Sequence, residues 1–265
     1  MILGPALLFC PADRPDRFAK ALERADAVIL DLEDGVAPDA RADARAAVVA
    51  AALDPARVIV RVNPAPTDDF ALDLAAARAG GFDTIMVAKA DAALPSLPEF
   101  RVIALCETAA GVLAAPALAA RDEVVALMWG AEDLIASLGG SSSRDASGRY
   151  RDVVRHARSS ILIAAGAAGI AAIDAVHLAI DDLDGLRAEA EDAVASGFAA
   201  TACIHPSHVA VIRDAYRPSA EEVDAARRLL AAATEQGGVF RLDDRMVDGP
   251  VLAHARAVLR RHRAG

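Results

Sequence analysis

The sequence predicts an α/β protein that folds as a single (β/α)8 TIM barrel with a C-terminal helical extension. Its 265 residues contain no linker-like tract, and one barrel domain typically needs about 250 residues. Eight short apolar runs alternate with Ala-rich amphipathic segments along almost the whole chain, which is typical of repeated βα units around a parallel sheet. An eight-stranded doubly wound sheet gives a similar pattern, but eight repeats favour the closed barrel.

Most of the apolar runs are continuous rather than alternating, as expected for parallel strands that are buried on both faces. The predicted strands are residues 6–11, 27–32, 58–62, 84–88, 102–106, 124–129, 172–178 and 200–204. The predicted helices include residues 15–25, 40–52, 69–79, 150–165, 184–196 and 208–215, several of which end in Gly.

The chain continues beyond the eighth unit. We predict a helix over 220–236, an irregular stretch over 237–249 and a last helix over 250–263. The barrel domain is therefore placed at 1–217 and the extension at 218–265, and we expect the extension to pack on a neighbouring subunit.

Composition and charge exclude several classes of protein. The formal net charge of −10 disfavours binding to nucleic acid, which relies on Lys and Arg. The apolar stretch 161–173 is too short to cross a membrane, and no basic leader precedes the first strand, so we expect a cytoplasmic protein. The three cysteines are widely spaced in apolar runs, which predicts buried thiols. The one basic run, 260–263, is ordinary for a helix C-terminus.

Polar residues at the C-terminal ends of barrel strands face the catalytic mouth. By this rule the candidate residues are Arg14, Asp31, Glu33, Asp34, Arg61, Asn63, Lys89, Glu107, Thr108, Glu132, Asp133 and His205. Glu107 and Asp133 follow adjacent strands, so their carboxylates are expected to lie side by side. Mg²⁺ prefers one or two carboxylates plus waters and substrate oxygens, and such a site leaves room for a 2-oxo or 2-hydroxy carboxylate. Alternatively, both acids pair with Arg61 and other basic groups in a structural network.

Lys89 permits a second kind of chemistry. A desolvated lysine forms a Schiff base with a carbonyl substrate, but neighbouring carboxylates keep an ammonium protonated, so a charge-partner role ranks first. The Ser-rich stretch 139–143 lacks the Lys and the spacing of a P-loop and is interpreted as a mobile loop. His205 is expected only to line the pocket, because no second His lies at zinc-ligand spacing.

Several motifs resemble one family when they are taken together. They are Phe-Cys-Pro-Ala-Asp-Arg-Pro at 9–15, Val-Ile-Leu-Asp-Leu-Glu-Asp-Gly-Val at 28–36, Val-Arg-Val-Asn at 60–63, Glu-Thr-Ala-Ala-Gly at 107–111, Trp-Gly-Ala-Glu-Asp-Leu at 129–134, Cys-Ile-His-Pro at 203–206 and Met-Val-Asp-Gly-Pro at 246–250. In this order, over residues 6–260, they resemble the citrate lyase β-subunit-like proteins of the HpcH/HpaI aldolase and malyl-CoA lyase superfamily, in their stand-alone bacterial branch.

The resemblance implies Mg²⁺, or Mn²⁺ as a substitute, bound by Glu107 and Asp133. It further implies that Arg61 and Glu107 contact the substrate, and that Phe9 and Arg14 line an acyl-CoA entrance that Ile204 and His205 border. An acidic residue from the tail of a neighbouring subunit, here Asp248, is implied as the catalytic base of a homo-oligomer, which we expect to be a trimer. Many relatives carry Gly-Lys before the Met of this last motif, whereas Asp244 and Arg245 stand here.

The expected reaction is retro-Claisen cleavage of a 3-hydroxyacyl-CoA to acetyl-CoA and a 2-oxo acid. Malyl, citramalyl, citryl and hydroxymethylglutaryl thioesters remain open as substrates. Three alternatives accompany this expectation. The chain is a carrier-dependent lyase subunit, a Schiff-base aldolase that uses Lys89, or a lyase with thioesterase activity on the same substrate.

Overall fold

The computed structural model describes residues 4–264, with side chains up to residue 262, and confirms the predicted (β/α)8 barrel. Eight strands pair in parallel in the order β1 to β8, and β8 closes on β1. They are β1 (Ala6–Pro11), β2 (Ala27–Asp31), β3 (Val58–Val62), β4 (Thr84–Val87), β5 (Arg101–Cys106), β6 (Val124–Trp129), β7 (Ala171–Asp174) and β8 (Ala200–Cys203). The helices of the barrel are α1 (Phe18–Arg24), α2 (Arg41–Ala50), α3 (Asp68–Ala79), α4 (Ala109–Ala119), α5 (Ala131–Ser137), α6 (Asp152–Ala168), α7 (Leu183–Ser196) and α8 (Pro206–Tyr216).

The inside of the barrel is filled by apolar side chains from alternate positions of the strands. Leu7, Ile29, Ile59, Leu105 and Met128 belong to this buried core. Because side chains alternate between the two faces of a strand, the residue two positions later on each strand also faces the barrel axis. These later positions, at the C-terminal ends of the strands, are Phe9, Asp31, Arg61, Glu107 and Gly130.

The seventh strand is shorter than predicted. It ends at Asp174, whereas the apolar run continues to Leu178. Apolar residues occur both in strands and in the loops that follow them, so an apolar run does not show where the strand ends. Leu178 lies in the loop after β7, with 52% of its surface exposed. The prediction therefore missed that an acidic residue, Asp174, stands at the end of this strand.

The chain divides into two compact units, Met1–Ile212 and Arg213–Gly265. The division falls within α8. The second unit contains α9 (Ala220–Gln236), β9 (Phe240–Leu242), β10 (Arg245–Val247) and α10 (Gly249–Ala264). α9 begins with a capping box in which Ser219 and Glu222 accept hydrogen bonds from each other's backbone N–H groups.

The stretch 237–249 was predicted to be irregular, but it contains two strands. β9 and β10 form an antiparallel hairpin, and Asp243 and Asp244 occupy its turn with φ of 44° and 60°. Two central residues with positive φ are typical of a tight hairpin turn, and Asp tolerates that conformation. Among the described helices, none is both long and apolar enough to cross a membrane.

Candidate active site

Arg61 and Asp31 form a buried ion pair at the mouth of the barrel. Arg61 Nε and Nη2 each donate a hydrogen bond of 2.6 Å, one to each carboxylate oxygen of Asp31. Asp31 also accepts hydrogen bonds from the backbone N–H groups of Glu33 at 3.0 Å and Gly35 at 2.9 Å. A side chain at position 35 would collide with this carboxylate, so the turn after β2 needs glycine. The guanidinium is thus held in one orientation.

The other contacts of Arg61 leave part of it available to a ligand. Its Nη1 lies 3.1 Å from Glu33 Oε2, and its Cζ lies 4.9 Å from the centre of the Phe9 ring. A guanidinium carries five N–H donors, so the contacts with Asp31 and Glu33 leave donors for a substrate oxygen. The structure therefore brings Phe9 and Arg61 together at the mouth of the barrel.

Lys89 lies among four carboxylates. Its Nζ pairs with Glu33, and lies 3.3 Å from Asp34, 3.2 Å from Asp133 and 4.0 Å from Glu107. Burial alone lowers the pKa of this ammonium, but the hydrogen bond and charge of Glu33 and the charges of Glu107 and Asp133 raise it above its usual value. A protonated amine is not a nucleophile. Lys89 is thus a charge partner, and it is Lys89 rather than Arg61 that lies beside Asp133.

Glu107 is enclosed by backbone on two sides. One oxygen accepts a 3.0 Å hydrogen bond from the backbone N–H of Lys89, a residue with the left-handed φ of 50°. The other faces Gly130, where an added Cβ would lie 2.9 Å from Glu107 Oε2 and 3.0 Å from Glu107 Cβ. Left-handed backbone at a residue other than glycine is strained and often occurs at functional sites. Lys89 and Gly130 therefore shape a niche for this one carboxylate.

The charge balance of this niche favours a further cation. Burial, with a smaller contribution from the negative charge of Asp133, raises the pKa of Glu107 to about 8, although Lys89 and Arg61 lower it in part. The ion pairs show the same imbalance, because five carboxylates (Asp31, Glu33, Asp34, Glu107 and Asp133) surround two cations, Arg61 and Lys89. The site is therefore suited to a hard divalent cation, which favours oxygen ligands.

The number of acids at this place also suits such an ion. Among the residues that the structure describes, no three His, Cys, Asp or Glu side chains are arranged to hold a metal together. Two carboxylates, Glu107 and Asp133, match Mg²⁺, which keeps waters in its shell. These two carboxylates therefore fit magnesium. The Lys89 ammonium already places one positive charge next to both of them.

The remaining predicted site residues lie at different places. Arg14 is exposed after β1, and Ile204 (38% exposed) and His205 follow β8. His205 Nδ1 lies 2.7 Å from Ser207 Oγ, and its lining role stays a prediction. Asp248 belongs to the second unit, where it precedes α10 and its Oδ1 accepts a 3.4 Å hydrogen bond from the Val251 backbone.

Two predicted features of the mouth are structural instead. Asn63 is buried, and its side chain donates hydrogen bonds to Asp73 at 2.7 Å and to the Leu32 carbonyl at 2.9 Å. The Ser-rich stretch 139–143 is anchored at its last residue, whereas residues 139–142 are exposed. Ser143 is only 3% exposed, and its hydroxyl donates a 2.5 Å hydrogen bond to Glu132.

The sequence interpretation missed a basic stripe that begins at the mouth and continues along α1 away from it, defined here as Arg14, Arg17, Lys20 and Arg24. All four side chains are exposed. Arg17, Lys20 and Arg24 recur three and four residues apart across the start of α1, so they share one helix face. The stripe begins at the C-terminal end of β1, beside the catalytic mouth. The spacing of these residues along a helix was the signal that would have revealed the stripe. Asp16 and Glu23, directly before Arg17 and Arg24, make the charge look mixed when the residues are read in order.

Comparison with known proteins supplies independent findings. A family model described as HpcH/HpaI aldolase/citrate lyase matches residues 6–94 and 96–206. A citrate lyase subunit beta-like protein of Mycobacterium tuberculosis is 55% identical over 260 residues, which cover 97% of this chain and 95% of that protein. A (3S)-malyl-CoA thioesterase of Cereibacter sphaeroides is 31% identical over 270 residues, which cover 96% of this chain and 93% of that protein.

Solved structures with the same fold carry informative ligands. The protein CitE of M. tuberculosis in complex with magnesium, acetoacetate and coenzyme A has a TM-score of 0.92 at 55% identity, and 98% of each chain is covered. The same protein in complex with magnesium and pyruvate has a TM-score of 0.84 at 51% identity, with 97% of this chain and 98% of that chain covered.

Proposed function

Because this chain belongs to the HpcH/HpaI aldolase/citrate lyase family, we propose that it is a magnesium-dependent carbon–carbon lyase. Its substrate is a short 3-hydroxyacyl-CoA, and its products are acetyl-CoA and a 2-oxo acid. The observation that carries the proposal is the niche of Glu107 and Asp133, two carboxylates that share the Lys89 ammonium beside a fixed arginine. The relatives bound to magnesium with coenzyme A or pyruvate support the same chemistry.

Glu107 and Asp133 are the residues that would hold Mg²⁺, or Mn²⁺ in its place. When bound, the ion supplies Lewis-acid polarisation of the oxygen on the carbon that becomes the 2-oxo group. Lys89 stays protonated beside these carboxylates and limits their mutual repulsion. This role leaves no free amine for Schiff-base chemistry, and borohydride with a 2-oxo acid should therefore leave Lys89 unmodified.

The chain's own residues carry out the proton and charge steps. Asp248, contributed by a neighbouring subunit, removes the proton of the 3-hydroxyl group. The bond between C2 and C3 then breaks, C3 becomes the carbonyl of the 2-oxo acid, and the electron pair moves onto the thioester as an enolate. Arg61 stabilises the enolate oxygen, because Asp31 holds its guanidinium in place before the charge develops. Protonation of the enolate carbon yields acetyl-CoA.

The basic stripe favours an acyl-CoA thioester rather than a free acid as the substrate. Coenzyme A carries phosphates, and the stripe presents cations beside the mouth of a protein whose net charge is −10. Phe9, five residues before Arg14, lies against Arg61. Phosphates bound on the stripe would thus place the thioester arm at the carboxyl end of β1.

The double substitution Arg17→Glu/Lys20→Glu tests this role. We expect KM for the thioester to rise about tenfold at low ionic strength with kcat unchanged, because exposed charges steer and hold the phosphates. The rise in KM should shrink at high salt, since surface charge interactions are screened. The charge-matched control Arg78→Glu/Arg155→Glu alters two other exposed arginines and should leave KM unchanged. Equal KM values for both double variants would contradict the assignment.

The reaction itself is tested by incubating the purified chain with malyl-, citramalyl-, citryl- and hydroxymethylglutaryl-CoA. Cleavage is measured as equal amounts of acetyl-CoA and an oxo acid, which is a 2-oxo acid from the first three thioesters and the 3-oxo acid acetoacetate from hydroxymethylglutaryl-CoA. Free CoA with an intact hydroxy acid would instead indicate a thioesterase, the activity named for the C. sphaeroides relative. Binding of the thioesters without turnover would favour a carrier-dependent subunit over the proposed lyase.

A further inference from the structure

A side-chain hydrogen bond joins β6 and β7 where their backbone pairing stops. The last paired residues are Met128 and Ile173. The next residue of each strand is Trp129 and Asp174, and the indole Nε1 of Trp129 donates a 2.6 Å hydrogen bond to Asp174 Oδ1. Both residues are buried, with 1% and 5% of their surfaces exposed. This bond continues the link between the two strands up to the mouth of the barrel.

The acceptor of that bond is itself fixed. Arg158 of α6 donates from Nε to Asp174 Oδ1 at 3.0 Å and from Nη2 to Asp174 Oδ2 at 2.8 Å. The same guanidinium lies over the ring of Phe198 at 4.8 Å and pairs with Asp192 at 2.6 Å. A carboxylate held by two parallel hydrogen bonds cannot rotate freely, so Asp174 presents its oxygen to Trp129 in one direction.

Trp129 stands directly behind the candidate metal ligands. Met128 faces the inside of the barrel, so the Trp129 side chain faces outward, and the next residue, Gly130, faces inward again. Gly130 leaves room for Glu107, because an added Cβ would lie 2.9 Å from Glu107 Oε2. It is also the N-cap of α5, the helix that carries Asp133. A displacement at the end of β6 would therefore move both carboxylates.

We propose that Asp174 is a positioning residue that, through Trp129, fixes the end of β6 and thereby the spacing of Glu107 and Asp133. This inference rests on the proposed function, because it concerns the same magnesium site. It gives a role to Asp174, a buried acid that takes no part in the proposed proton transfer or enolate stabilisation. The sequence interpretation named no polar residue at the end of the seventh strand.

Trp129→Phe is the most selective test, because it removes the N–H group while retaining an aromatic ring against Tyr150, whose centre lies 5.5 Å from the Trp129 ring. We expect the Mg²⁺ dissociation constant, measured by isothermal titration calorimetry, to rise about tenfold, the lower end of the range for residues that orient metal ligands. Turnover should recover at saturating Mg²⁺. Asp174→Asn should shift the same constant in the same direction, because it removes the charge that binds Arg158.

Asp192→Ala is the matched control. It removes another partner of Arg158 and leaves the bond between Trp129 and Asp174 intact, so Mg²⁺ affinity should stay at the wild-type value even if the melting temperature falls. Folded Trp129→Phe or Asp174→Asn protein with wild-type Mg²⁺ affinity would overturn the inference. Should Trp129→Phe fail to fold, Asp174→Asn decides alone. A wild-type protein that binds no Mg²⁺ would contradict the proposed function itself, which is a different result.

Discussion

Glu107→Gln is expected to abolish Mg²⁺ binding and to lower kcat/KM by about a thousandfold or more, because Lewis-acid stabilisation contributes several kcal/mol. Glutamine retains the size of the side chain and an oxygen that accepts from the Lys89 backbone N–H. The substitution therefore removes the negative charge with little change in packing. Calorimetric Mg²⁺ titration and steady-state kinetics with the preferred thioester measure the two effects.

The matched control is Glu99→Gln, the same chemical change at a carboxylate that is 44% exposed and pairs with Arg78. It should leave Mg²⁺ affinity and kcat/KM at the wild-type values. If Glu107→Gln bound Mg²⁺ as the wild type does, Glu107 would belong to a structural network with Lys89 rather than to a metal site.

Asp248→Asn is expected to lower kcat by about 10²- to 10⁴-fold, the usual contribution of a general base, while Mg²⁺ binding stays intact. Asp248 caps α10 through the Val251 backbone N–H, and asparagine is an equally good cap. The folded second unit should therefore survive, and melting temperatures of the two proteins should agree. Loss of Mg²⁺ affinity in Asp248→Asn would place this residue in the metal site instead of on the substrate.

Mixing the two inactive variants tests where Asp248 acts. We propose a homo-oligomer, specifically a trimer, in which the second unit of one chain completes the barrel mouth of the next. Subunit exchange between Glu107→Gln and Asp248→Asn should then restore part of the activity, because some mouths receive an intact Glu107 and an intact Asp248 from different chains. No recovery in verified mixed oligomers would count against shared sites, and a fully active monomer would refute them.

The residues at the barrel mouth were predictable because polar side chains at the C-terminal ends of barrel strands face it. Asp31, Arg61 and Glu107 each follow a buried core residue by two positions, so a strand that reaches the mouth must present them there. Their partners were less predictable. That Arg61 pairs with Asp31 while Lys89 pairs with Glu33 depends on how neighbouring strands are staggered, and a linear sequence does not show stagger.

The features that sequence interpretation missed depend on contacts between distant segments. The burial of Asp174 is explained by the hydrogen bonds that it accepts from Trp129 and Arg158, which lie 45 and 16 residues away along the chain. Its own neighbours are apolar, so the local pattern indicated a longer strand. The hairpin of β9 and β10 is too short for a hydrophobic period to reveal it. Each strand has three residues, one of them an arginine, and only Asp243 and Asp244 between them marked the turn.

The central claim, that Glu107 and Asp133 hold a magnesium ion on which carbon–carbon cleavage depends, is tested most directly by removing and restoring the metal. The wild-type protein is treated with EDTA, desalted, and assayed with the preferred thioester for acetyl-CoA and 2-oxo acid while Mg²⁺ is titrated back. We predict no cleavage without metal, saturable recovery with Mg²⁺ or Mn²⁺, and no recovery in Glu107→Gln. Full lyase activity in excess EDTA would contradict the account.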